Sequence, residues 1–309
     1  TAGDDVRCME CHQGRESKVS VDQQIADFKA AEALDTVVAP IKDAQGNDQT
    51  FGFRNVHYFA AAATLYGGQV HGGYEYDGKT YDSKNTHTEG YDKCTGCHNP
   101  HTLKVKVEQC ALCHEGVATV EDLKNVRMVS SNPDYDGDGN NTEGMFYEIQ
   151  GLQEILMAQI TKYATETAGA EIKYDAATYP YFMGADGKAY ANWTPRLLKA
   201  AYNYQVSIKD PGAFAHGNKY IVQLLFDSIA DLGGDTSKLA RTDAGHFAGD
   251  TMPFRDWDYN ADGTPNFIVP FACVKCHTAQ GLPTFLKDGG TTVVTSSGST
   301  STTGVASLP

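Results

Sequence analysis

Apolar residues recur along this chain in two different ways. Between residues 145 and 232 they fall at helical spacing. Met145 to Tyr163 places Ile149, Leu152, Leu156, Ile160 and Tyr163 on one face of a helix. Thr194-Pro195 opens a second, with proline at the first helical position and Leu197, Leu198, Ala201 and Tyr202 as its apolar stripe. A third runs from about Asn218 through Ile221, Leu224, Leu225, Ile229 and Leu232 and stops at Gly233-Gly234. Elsewhere the pattern is thin. Val56 to Tyr66 reads as a helix closed by Gly67-Gly68, with His57 in its first turn; Tyr74 to Tyr81 reads as a hairpin around Asp77-Gly78. Leu103, Val105 and Val107 alternate with lysines as a short strand. The stretch from Asp288 to Pro309 is rich in Gly, Ser and Thr and cannot bury much surface, so it reads as a flexible tail that orders only by lying against something else. The expected fold is mostly α and coil, with a few amphipathic helices, short hairpins and little other regular structure.

So sparse a pattern needs a further source of core. The chain has 309 residues, enough for about two ordinary domains, yet it is only 41% hydrophobic and holds 31 glycines. Its eight cysteines point to that source. All of them sit in four copies of Cys-x-x-Cys-His: Cys8/Cys11/His12, Cys94/Cys97/His98, Cys110/Cys113/His114 and Cys273/Cys276/His277. Two thiols at this spacing can add to the two vinyl groups on one porphyrin edge while the following imidazole reaches the iron, so each copy predicts one covalent haem c. Cys94 to Cys113 also has the spacing of a zinc ribbon, but zinc does not require a histidine after every pair and offers nothing to the first and last pairs. Four porphyrins are large apolar plates, and side chains packed on them relieve the chain of supplying its whole core. Three motifs lie in a haem-rich N-terminal lobe, 1–120; a helical lobe, 121–287, carries the fourth; residues 288–309 form the tail.

Ten histidines less the four in the motifs leave His57, His71, His87, His101, His216 and His246 for four sixth-ligand positions. His101 follows His98 by three residues, a span of at most about 10 Å, too short to pass the porphyrin edge and return to the same iron. It is therefore expected to ligate a second haem lying nearly in contact with the first. His57 and His216 each read as opening a helix that aims an imidazole inward, and His87 lies seven residues before Cys94. These four are the expected distal ligands, with His246 as a fifth candidate and His71, beside Gly72-Gly73, as the weakest. Methionine ligation is a rival that a surplus of histidine disfavours.

A second metal is suggested by Asp134-Tyr-Asp136-Gly-Asp138-Gly-Asn140, the start of a calcium loop, with Glu143 standing near the place where an EF-hand has its glutamate and Met145 holding that place. The net charge of −14 makes nucleic acid an unfit partner, because affinity there rests on neutralising phosphates. No run of about 20 apolar residues exists to span a membrane. The chain opens at Thr1 without a signal peptide, and since haem c is attached after export, the expectation is a processed form located outside the cell or on its surface.

Asn55-Val-His57-Tyr-Phe-Ala-Ala-Ala-Ala-Thr-Leu-Tyr-Gly, Tyr-Glu-Tyr-Asp-Gly-Lys-Thr-Tyr81, Cys94-Thr-Gly-Cys-His-Asn-Pro-His101 and Asp210-Pro-Gly-Ala-Phe-Ala-His216 resemble the multihaem outer-surface cytochromes of metal-reducing prokaryotes. With four motifs the chain looks most like their polymeric members, the OmcE/OmcS-type filaments. That resemblance implies a continuous haem chain, bis-histidine irons and one ligand given by a neighbouring subunit. The expected function is electron transfer, with copies of the chain joined head to tail in a conductive filament and redox cytochromes or extracellular acceptors as further partners. The alternatives are a discrete shuttle, or a multihaem reductase of nitrite, hydroxylamine or sulfite, which would need an open iron position.

Overall fold

A computed structural model describes residues 5–57, 59–85, 87, 91, 93–127 and 133–241, with the backbone of 282–285, 291–294 and 300–303. In chain order these form α1 (Val6–His12), α2 (Lys18–Asp27), β1 (Ile41–Lys42), β2 (Asp48–Gln49), α3 (Ala61–Tyr66), α4 (Cys94–Cys97), α5 (Val107–Cys110) and α6 (Met145–Glu166). There follow β3 (Ile172–Tyr174), β4 (Phe182–Gly184), α7 (Pro195–Lys209), α8 (Ala213–His216), α9 (Asn218–Asp231), β5 (Leu282–Phe285), β6 (Thr291–Val294) and β7 (Thr300–Thr303). The strands pair only as antiparallel neighbours: β1 with β2, β3 with β4, and β5-β6-β7 as a three-stranded meander. The architecture is mostly helix and coil, as the pattern predicts. Among the described residues no helix is long and apolar enough to cross a membrane.

The chain divides into two compact units, Thr1–Asn85 with Pro133–Thr242, and Thr86–Asn132 with Asp243–Pro309. The core of the first is α6, α7 and α9. Ile149, Leu152, Leu156, Ile160 and Tyr163 of α6 are all buried, as are Leu197, Leu198, Ala201 and Tyr202 of α7 and Ile221, Leu224, Leu225 and Ile229 of α9. The Thr194 hydroxyl caps α7 by accepting from the Leu197 N–H at 3.1 Å. Phe53, Phe182 and Trp193 extend this core, with ring centres 4.6 to 5.6 Å apart.

Five local expectations are corrected. The helix expected over Val56–Tyr66 begins only at Ala61, so His57 precedes it in irregular chain. The Val56 N–H is taken by Gln205 Oε1 and the His57 N–H by the Gly14 carbonyl, which commits them to tertiary partners. His216 ends the short helix α8 and does not open α9, because Gly217 between them departs from helical geometry, with φ −172° and ψ 60°. The Asp77-Gly78 turn forms, with the Lys79 N–H on the Tyr76 carbonyl, but no ladder flanks it. Helix side chains take those bonds instead. Asn203 of α7 accepts from the Tyr74 N–H and donates to the Tyr74 carbonyl, while Tyr81 accepts from the Tyr76 N–H and donates to Asp227 of α9. The strand expected at 103–107 shrinks to one bridge, His98 to Val105, since Val107 already belongs to α5. The tail, finally, supplies β6 and β7: its β-branched Thr and Val residues pair with one another and with β5.

Candidate functional site

Three of the four Cys-x-x-Cys-His motifs lie in the described residues; Cys273, Cys276 and His277 lie outside them, as does His246. The first occupies α1. Residues i, i+3 and i+4 share one face of a helix, so Cys8, Cys11 and His12 project together. The second runs through α4 into His98, and the third leaves α5 at Cys110 for a turn that carries Cys113 and His114.

Haem c can be tested against this geometry. No residue of α1, α4 or α5 is buried by protein, as a face meant to lie on a large apolar plate requires. Large apolar side chains are exposed beside the motifs: Val6 and Phe59 near the first, Leu103 near the second and Leu112 inside the third. Two motif histidines are also aimed by backbone carbonyls. His12 Nδ1 meets the Phe59 carbonyl at 2.7 Å and His98 Nδ1 meets the Leu103 carbonyl at 3.2 Å. A proton held on Nδ1 leaves the Nε2 lone pair for a metal. Both Phe59 and Leu103 adopt left-handed backbone, φ 57° and 59°, an uncommon state for such residues and one concentrated at functional sites. The residues present fit the group.

Within the second unit the two middle motifs pack together. The Lys106 N–H donates to the Cys97 carbonyl at 2.8 Å, its ammonium donates to the Thr95 carbonyl at 2.7 Å, and the Cys110 thiol donates to the Lys106 carbonyl. Partial burial pushes the Cys97 thiol pKa up, and the neighbouring Cys110 thiol adds to the shift. His101 is exposed on a tight turn whose backbone is held by Asn99: its own N–H and that of Thr102 donate to Asn99 Oδ1 at 2.9 and 3.0 Å. His87 lies against His114, ring centres 6.1 Å apart. Burial lowers the pKa of both, and that of His87 is lowered further by the charge of His114; the neutral imidazole this favours is the ligating form.

In the first unit, His57 sits two residues before Phe59, whose carbonyl meets His12 Nδ1, and its own N–H donates to the Gly14 carbonyl. His216 Nδ1 is shared by both oxygens of Asp210 at 2.9 Å. Gly212 makes room for that ring, since a Cβ there would stand 2.6 Å from His216 Cε1. Burial works to lower the His216 pKa, but the Asp210 charge and hydrogen bond outweigh it and the net shift is upward. His71 is bonded to Glu75 at 2.7 Å and is half-exposed. The orienting partners Asp210, Phe59, Leu103 and Glu75 were not singled out from the sequence. Asp210, six residues before His216, is the one with a visible signal.

Asp134, Asp136 and Asp138 bring oxygens within 4.8 Å of one another, and so do Asp136, Glu143 and Glu148. Asn140 is bonded within the loop, its N–H on Asp138 and its amide on Glu143. Glu148, fully buried in the first turn of α6, accepts from the Tyr135 and Asp136 N–H groups. A carboxylate on the same helix face as Met145, Ile149 and Leu152 was the overlooked signal for it. Burial pushes Asp136 up to about 7, with repulsion from Asp138, Glu148 and Glu143 adding to the effect.

The chain is similar to C-type polyheme cytochrome OmcB of Geobacter sulfurreducens, in both strain DL-1/KN400 and strain PCA. Identity is 26% over 276 residues, covering 74% of this chain and 31% of that protein. The chain thus spans about a third of the length of the curated relatives it matches. No protein-family model matches it, and neither does any solved structure. The likeness supports a multihaem c-type cytochrome.

Proposed function

We propose that this chain is an electron-transfer protein that carries four haems c, each iron held between two histidines, and that it serves as a subunit of an extracellular cytochrome filament. The observation that carries the reading is that four Cys-x-x-Cys-His motifs consume all eight cysteines. The likeness to a polyheme cytochrome supports it, as do the apolar surfaces and aimed imidazoles around the described motifs.

Haem c supplies a one-electron iron couple whose potential depends on axial ligands, burial and nearby hydrogen bonds. The chain's part is to attach, orient and space the cofactors. Eight cysteines hold them; His12, His98, His114 and His277 are the proximal ligands and His57, His87, His101 and His216 the distal ones. The Lys106 contacts favour two neighbouring haems at Cys94/Cys97 and Cys110/Cys113. The filament reading rests on the first and last motifs lying toward opposite ends of the sequence. A haem near each end of the subunit would expose apolar porphyrin, and burying it against the next copy contributes roughly 25 cal/mol per Å². Two unlike ends give a head-to-tail contact, which propagates as a helix unless it closes.

Intact mass and visible spectra of the exported protein test this reading. Four covalent haems, all low-spin and indifferent to carbon monoxide, are expected, with filaments visible by electron microscopy. Fewer attached haems would overturn the four-haem reading, an iron that binds carbon monoxide in the native assembly would favour a reductase, and uniformly monomeric haem-loaded material would favour a shuttle. The loop at Asp134, Asp136, Asp138 and Asn140 is read as a calcium site that steadies the start of α6, a reading supported by the buried Glu148 beside it.

A further inference from the structure

We propose that His87 is the second axial ligand of the iron whose first ligand is His114, on the haem attached at Cys110 and Cys113. The proposal rests on the haem reading above and adds what spacing along the chain leaves open, namely which distal histidine serves which haem.

The imidazole rings of His87 and His114 have centres 6.1 Å apart and planes inclined at 40°. At that tilt they are neither stacked nor edge to face. An imidazole nitrogen lies about 2 Å from the metal it binds and roughly 1 Å from the centre of its own ring. Two imidazoles on opposite faces of one iron therefore have ring centres about 6 Å apart. The angle between their planes is unconstrained, because each ring can turn about its own iron–nitrogen bond, so 40° is compatible. His114 is committed to the haem of its own motif by adjacency to Cys113. The ring facing it at this distance is then placed for the same iron.

Sequence proximity would have assigned His87 elsewhere, since it lies seven residues before Cys94 and 23 before Cys110. The structure supplies the tether that overrides this. Tyr91 stands edge-on to His87 at 6.3 Å and 79°, and its hydroxyl donates to Gln109 Oε1 at 2.8 Å. Gln109 belongs to α5 and immediately precedes Cys110. The segment carrying His87 is thus fastened to the helix that carries the attachment site. Tyr91 is a positioning residue, acting through the ring of His87.

The test uses the full chain matured with its haems, compared with a His87→Gly variant by intact mass, electron paramagnetic resonance and carbon monoxide difference spectra. The variant should keep its parent's haem count while about a quarter of the iron turns high-spin and binds carbon monoxide, and added imidazole should restore it. In a Cys110→Ala/Cys113→Ala background, which lacks the haem in question, His87→Gly should create no further high-spin iron. Tyr91→Phe should leave every iron low-spin but shift the resonance of one. A His87→Gly protein that stays wholly low-spin, or new high-spin iron in the Cys110→Ala/Cys113→Ala background, would overturn the pairing while leaving the haem reading intact. A parent chain without covalent haem would overturn both.

Discussion

Helices α6, α7 and α9 bury Leu152, Leu156, Ile160, Leu197, Leu198 and Leu224 completely, whereas between residues 93 and 127 Val117 is the one buried hydrophobic among the described residues. The first region is an ordinary side-chain core. The second is held by short links such as those of Lys106, yet it carries two complete haem motifs. A segment of this length cannot offset the entropy of ordering its backbone with one valine. On the haem reading proposed above, the porphyrins attached at those cysteines supply apolar surface to this segment, while the helical region has a side-chain core of its own.

The largest effect should come from removing that cofactor. Cys110→Ala/Cys113→Ala is expected to lower hydrogen-exchange protection around residues 107–117 while α6, α7 and α9 keep theirs. Unchanged protection of the haem-bearing segment would break the comparison. Leu156→Ala should act on the other side, lowering stability to denaturant by about 2–5 kcal/mol without altering haem content. Loss of haem in that variant would show that the helical core and the motifs are coupled.

Asn203→Ala sharpens the contrast, because it strips partners from the Tyr74 N–H and carbonyl and so loosens the coil held against α7. A loss of about 1–3 kcal/mol is expected, read from chemical denaturation. Chelating calcium should cost on the order of 1 kcal/mol at a few times the dissociation constant, seen as a lower melting temperature that Asp136→Ala no longer shows. Identical melting with and without chelator in the parent would leave the acidic loop without an ion.

The smallest effect concerns acid. Hydrogen bonds from Arg196 and from Tyr163 hold the Asp35 carboxyl below the usual carboxylate range. A depressed native pKa gives stability that is present above the unfolded value and lost as pH falls through the folded one. Asp35→Asn should therefore lower the melting temperature slightly near neutrality, flatten the profile below about pH 4 and converge on the parent in stronger acid, measured as melting temperature against pH.

The helices at 145–166, 195–209 and 218–231 were legible because each is signalled locally, by a 3.6-residue stripe, a Thr-Pro start or a Gly-Gly stop. The Cys-x-x-Cys-His motifs are legible for the same reason, since each keeps its groups within five consecutive positions. Two elements failed because their backbone bonds go to distant partners. Val56 and His57 look helical until Gln205 and Gly14 claim their N–H groups, and Tyr74 to Tyr81 looks like a hairpin until Asn203 and Asp227 take the place of a second strand.

The same division runs through the candidate site. Composition and short-range spacing settle which side chains are available, because covalent attachment and helix formation are decided within a few residues. Packing alone brings Phe59 to His12, Asp210 onto His216, Glu148 to Asp136 and His87 to His114. Those contacts depend on how distant segments fold back on one another, and in the last case a tyrosine tethered to the helix of the third motif outweighs nearness along the chain to the second.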